Sequence, residues 1–165
     1  MELRTSEVIY GGVVIDGTDV IWIHQLLGRY GWAIDSGDWD AFAELFVADA
    51  TIDYRSSSGR VERAGRDAIV DWFRSVADHN PAAHHVTNIV VDPGADPDGR
   101  VDVQSKFFAP YSRDAHNPKR LYGGDYRDVV VRTPDGWRFA SKECIPRWQL
   151  TVQTDESGPE QRRTY

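Results

Sequence analysis

Cysteine is nearly missing from this chain of 165 residues, with Cys144 standing alone. One thiol closes no disulfide within the chain and builds no cysteine-based zinc site. Clustered positive charge is lacking as well: the formal net charge is −7 and the isoelectric point about 5.1. A surface for nucleic acid needs grouped Lys and Arg, so a nucleic-acid partner is not expected. No apolar run approaches the length of a membrane span, and the opening "MELRTSEVIYGG" lacks a basic region followed by a long apolar stretch. A cytoplasmic protein without a membrane partner is the expectation. Phosphate-loop spacing is absent from the glycine-containing "GTDVIWIHQLLG" and "YGGDYRD". Ser56, Ser57 and Ser58 fall in a turn without the strand-to-helix context of a nucleophile elbow. No cofactor motif stands out.

What is present suits one soluble globular domain. Hydrophobic residues make up 41% and charged residues 27%, both ordinary values. The length supports a single core over residues 1–155, with 1–17 as an N-terminal arm and 156–165 as a polar, mobile tail. Six Trp, seven Tyr and six Phe either line a pocket for an apolar or ring-containing ligand or simply fill a small core.

Helix signals begin in "DGTDVIWIHQLLGRYGWAID", where Thr18 or Asp19 caps and Ile23, Leu27, Tyr30 and Ile34 recur at helical spacing. "SGD" ends that helix, and Asp38 caps a short second one over "WDAFAELFV". A third follows in "GRDAIVDWFRSVADH", with Ile69, Trp72, Phe73 and Val76 as its stripe. Thereafter the pattern alternates with period two. "ATIDYRS" and "GRVERAG" predict a hairpin, and further strands are read in "HHVTNIVVD", "RVDVQSKFFAPYS", "RLYGGDYRDVVVRT" and "GWRFASKECIPRW". "DPGADPDG" and "TPDG" mark turns between them. Helices first and antiparallel strands after predict an α+β fold, a curved sheet folded over helices with a concave pocket between.

Several side chains are candidates for chemistry. His24, Gly28, Gly31 and Asp35 share one facet of the first helix. Two bare glycines there cost about 1 kcal/mol each relative to Ala. The facet is therefore either a cavity wall ending in a carboxylate or a close helix–sheet contact. His84 and His85 open a strand, so one faces in and the other out, and alternation alone does not choose. A carboxylate beside the inward imidazole fixes its tautomer and leaves the other ring nitrogen as a base. Tyr30 and Tyr54 are candidate hydroxyl donors, and Arg147 a candidate pocket-edge cation. Trp32, Asn88 and Lys106 complete the candidate substrate contacts. His79, His84 and His85 give no metal triad, because adjacent strand residues diverge, so no metal site is expected.

Four segments, "GRYGWAIDSGDWDAFAELFVADATIDY", "GRDAIVDWF", "HHVTN" and "GGDYRDVVVRTPDGWRFA", resemble the SnoaL-like branch of the nuclear transport factor 2-like superfamily. The resemblance spans roughly residues 18–148. It implies a cone-shaped α+β barrel, three helices against a strongly bent mixed sheet of about six strands, with a deep apolar pocket. Within that superfamily the chain is most similar to the small cofactor-free lyases, which include scytalone dehydratase, bile acid 7α-dehydratase and hexachlorocyclohexane dehydrochlorinase. Their His–Asp dyad maps onto His84 and Asp35, which implies that His84 faces in and His85 away. Tyr30, Tyr54 and Arg147 stand where the bile acid enzymes carry two tyrosines and an arginine. The second pocket histidine or aspartate of those lyases has no counterpart in "VQSKFFAPY", where Gln104 and Lys106 stand. The implied activity is a cofactor-independent, dehydratase-type lyase acting on a small hydrophobic carbonyl or ring-containing substrate. An isomerase or cyclase of polyketide- or steroid-like molecules, and a non-catalytic binding module, are the alternatives. The same resemblance implies a homo-oligomer, a trimer in preference to a dimer, joined through the arm and the outer sheet face.

Overall fold

A computed structural model describes residues 8–10, 13–56, 59–77, 83–92, 99–111 and 120–152. The turn at 93–98, the tail after 152, His79 and most of the arm lie outside the described residues. Within the arm, β1 (Val8–Tyr10) pairs antiparallel with β2 (Val13–Ile15).

Helix α1 runs Gly17–Ser36 and begins two or three residues earlier than its sequence signals suggest. Asp16, rather than Thr18 or Asp19, is the cap. Its side chain accepts from the Asp19 backbone N at 2.9 Å, while Asp19 accepts from the Asp16 backbone N at 3.1 Å. This reciprocal box satisfies two otherwise orphaned N–H groups. Gly37, in the left-handed region at φ 68°, terminates the helix. Ile23, Leu26, Leu27, Tyr30, Ala33 and Ile34 form the buried stripe. Helix α2 (Trp39–Ala43) is capped by Asp38, which accepts from Ala41 N at 3.0 Å. It is shorter than expected because Phe46 and Val47 already belong to a strand. Helix α3 spans Arg66–Ala77 and buries Ile69 and Phe73.

The remaining strands are β3 (Phe46–Ser56), β4 (Gly59–Ala64), β5 (His85–Asp92), β6 (Arg100–Tyr111), β7 (Arg120–Thr133) and β8 (Gly136–Thr151). They form one six-stranded sheet in the order β4-β3-β8-β7-β6-β5, parallel at β3–β8 and antiparallel elsewhere. Register shifts interrupt the β3–β8, β5–β6 and β7–β8 ladders. Such irregularities bend and twist a sheet, and here they curve it around the helices. This is the expected three-helix, mixed-sheet α+β cone. Strict alternation along β6 buries Val101, Val103, Ser105, Phe107 and Ala109 and leaves residues 100, 102, 104, 106 and 108 outside. The core between concave face and helices mixes aliphatic side chains with rings, among them Tyr30, Phe42, Phe46, Phe73, Tyr126 and Phe139. Burying each such ring contributes about 1.5–3 kcal/mol.

Candidate active site

Asp35 sits in the last turn of α1, and His84 lies immediately before β5. Two contacts join them across 49 residues of sequence. His84 Nδ1 is 2.6 Å from Asp35 Oδ1, and the His84 backbone N donates to Asp35 Oδ2 at 2.7 Å. An ionised carboxylate only accepts, so Nδ1 is the donor, and in the neutral imidazole the lone pair lies on Nε2. The His84 side chain is 9% exposed and that of Asp35 24%. The imidazole stands edge-on to Tyr30 and Tyr111, with centroids 6.5 and 6.1 Å away. His85 points outward and stacks on Phe108.

Gly31 resolves the question of the glycine facet. A Cβ at residue 31 would lie 2.9 Å from the His84 carbonyl oxygen and 3.4 Å from its Cβ. The missing side chain lets the chain entering β5 press against α1, one turn before Asp35. Gly28, by contrast, has nothing within 4 Å and is exposed, as is His24. The facet is a close contact at one glycine and open surface at the other, not a cavity wall.

Tyr30 projects from α1 and Tyr54 from β3, and their hydroxyls hydrogen-bond to each other. Burial raises both phenols well above their usual pKa; for Tyr30 the bond to Tyr54 works against this. Both are therefore neutral hydroxyls at physiological pH. Burial also pushes Tyr111 up to about 12.

Four expected substrate contacts lie away from the dyad, on outward-facing positions. Trp32 is 79% exposed, on the α1 face turned away from the core. Asn88 is exposed, with φ 51°, inside the β5 irregularity between Thr87 and Val90. The extra residue there breaks the alternation that would have aligned it with His84. Lys106 is on the outward phase of β6 and pairs with Asp125. Arg147 is also on the outer face, its Nε donating to Asp125 at 2.7 Å. Gln104 is likewise outward, so Ser105 and Phe107 are the inward residues of "VQSKFFAPY". The Ser105 hydroxyl is buried without a hydrogen-bond partner among the described residues.

The interior also holds an ion pair that sequence reading missed, Asp128 with Lys142, both side chains fully buried. The signal was there for Asp128, which alternates with Tyr126 and Val130 in "YRDVVV". For Lys142 it was obscured by the register shift near Val129 and Val130. Among the described residues no group of three or more His, Cys, Asp or Glu is placed to hold a metal ion. Among the described residues no helix is long and apolar enough to cross a membrane.

An open, bent mixed sheet closed over three helices, with ionisable side chains inside the curve, defines a nuclear transport factor 2-like protein. The chain belongs to the SnoaL-like domain family, whose profile matches residues 18–143. It is 35% identical over 128 residues to the uncharacterized protein Rv2910c of Mycobacterium tuberculosis, covering 76% of this chain and 84% of that one. It is 26% identical over 136 residues to the anthranilate 1,2-dioxygenase small subunit of Burkholderia cepacia, covering 74% and 83%. Among solved structures, a protein of Novosphingobium aromaticivorans provisionally named scytalone dehydratase superposes with a TM-score of 0.70 at 22% identity. That match covers 89% of this chain and 96% of that one, and its likeness is one of fold.

Proposed function

We propose that this chain is a cofactor-independent lyase of the dehydratase type, with His84 as general base and Asp35 as the group that orients it. One observation carries the reading: the Asp35 carboxylate takes both the backbone N–H and Nδ1 of His84, at 2.7 and 2.6 Å. An imidazole held this way has one tautomer, and its Nε2 removes a proton next to a carbonyl or another acidifying group. Asp35 then stabilises the imidazolium that forms. Tyr30 and Tyr54, kept neutral by burial, donate to the carbonyl oxygen or to the departing hydroxyl. A small hydrophobic or aromatic hydroxy-ketone suits the aromatic interior. General-base catalysis of this kind supplies about 10²–10⁴ in rate, and positioning the remainder.

The test is turnover of a panel of hydroxy-ketones and aromatic polyketide fragments, with product mass read out. Loss of water identifies the lyase, while turnover at unchanged mass identifies an isomerase or cyclase with the same base. His84→Ala is expected to abolish turnover and leave the melting temperature nearly unchanged. Full activity in that variant removes the mechanism. A second reading, a non-catalytic subunit of a larger assembly, draws on the similarity to a dioxygenase small subunit. Two surface grooves of about 420 and 430 Å³ also lie away from the dyad, one on the β3–β4–β8 strands and one between α1 and the β7–β8 turn. Under that reading no panel member turns over, and the purified protein associates with a partner chain.

A further inference from the structure

Asp128 on β7 and Lys142 on β8 are direct partners in the ladder, on the concave side of the sheet, and neither side chain has any solvent exposure. Lys142 Nζ donates to both oxygens of Asp128, at 2.9 and 3.1 Å. The rest of the ammonium is enclosed by rings: Nζ is 3.8 Å from the centroid of Tyr126, 4.2 Å from Tyr30 and 4.8 Å from Phe139. Taking two charges out of water is costly, and a well-packed apolar pair of similar volume is often as stable or more so. Stability alone therefore does not account for the pair. Its geometry does suggest a task. Tyr30 is otherwise packed by rings, edge-on by Phe73, Tyr126 and Phe139 and tilted by Phe42, none of which carries a charge. A cation over the ring face adds an attraction to the ring quadrupole that favours one ring placement.

We propose that Lys142, anchored by Asp128, is a positioning residue that fixes the Tyr30 ring so that its hydroxyl meets that of Tyr54, 6.5 Å ring to ring from His84. The role deepens the catalytic reading above and rests on it for its purpose. The charged side chains facing the Tyr30 ring among the described contacts are this pair alone. The other ionisable neighbours are Tyr54, Tyr126, Tyr111, Cys144 and His84.

The experiment uses the full chain labelled with ¹³Cζ-tyrosine, with resonances assigned through Tyr30→Phe and Tyr54→Phe. Lys142→Met/Asp128→Leu removes both charges together and leaves no lone buried ion. Asp128→Asn, the second variant, keeps an acceptor for Lys142 but takes away its counter-charge. In whichever variant still unfolds cooperatively, the Tyr30 and Tyr54 Cζ resonances are expected to move while that of Tyr122, further along β7, stays. Unmoved Tyr30 and Tyr54 resonances overturn the proposal. Loss of the fold in both variants makes the pair structural and overturns it too. Shifted resonances alongside full activity of His84→Ala would instead remove the catalytic reading and leave the positioning role standing.

Discussion

Gly31 and His84 touch through backbone: any Cβ on residue 31 would come within 2.9 Å of the His84 carbonyl oxygen. That approach brings the start of β5 close enough to α1 for Asp35, one turn on, to grip both the backbone and the ring of His84.

Gly31→Ala sets two effects against each other. Alanine gains about 1 kcal/mol of helix propensity over glycine. Its methyl meets a backbone oxygen that moves only with the chain entering β5, and overpacking of this kind costs about 1–3 kcal/mol. The clash is expected to win. The variant should melt at a lower temperature, and its His84 ring resonances should show a lengthened bond to Asp35. An unchanged imidazole spectrum would refute this.

Tyr54→Phe leaves the Tyr30 hydroxyl without its partner in an almost fully buried position, since Tyr30 is 1% exposed. An orphaned buried hydroxyl costs about 1–3 kcal/mol. Denaturant unfolding should report a loss in that range with an unchanged slope. A stability equal to that of the parent would mean that Tyr30 finds another acceptor.

Asp19 predicts the acid limb of stability. Burial works against its charge, yet hydrogen bonds from Arg132, the Asp16 backbone and Trp137 hold its pKa below the usual carboxylate value. A lowered folded-state pKa means that the stabilisation is complete above the unfolded value of about 3.9 and is lost as pH falls through the lower folded value. Asp19→Asn should therefore be less stable than the parent at pH 7, by about 1.5–3 kcal/mol for bonds to a charged group. The difference should shrink as the acid limb is descended below about pH 4. Unfolding curves at neutral and acidic pH measure it, and a constant gap would contradict the assignment.

Cys144 should be chemically silent in the native protein. It is 6% exposed, and burial pushes its thiol up to about 12, so almost no thiolate is present at neutral pH. A disulfide reagent should titrate one thiol per chain in denaturant and react only at the rate of unfolding without it. Rapid reaction with the folded protein would show that the inner face of β8 opens readily.

The alternation of β6 and the helical stripe of α1 were legible because each follows one local period, and the structure keeps both. The cap at Asp16 was missed by two or three residues, since Asp16, Thr18 and Asp19 all bear capping side chains and only the closed Asp16–Asp19 box singles one out. Asn88 was misplaced for a different reason. A bulge inserts a residue without altering composition, so the phase of β5 changes where the sequence still reads as regular. Arg147 and Lys106 went wrong through their setting. Both meet Asp125 on the outer face, a partner that no spacing along the chain reveals.

By itself the sequence determined the order of helices and strands and the α+β class, because these rest on periodicity and short-range turn chemistry that each segment carries within itself, and its motifs carried the resemblance to the family. Only the tertiary structure decided that Gly31 is a contact point and Gly28 bare surface, that Asp35 grips His84 at two atoms, and that a lysine and an aspartate sit fully buried under Tyr30. Those facts depend on how residues far apart in the chain meet across a bent sheet. The bend comes from register shifts whose positions are set by packing rather than by local preference.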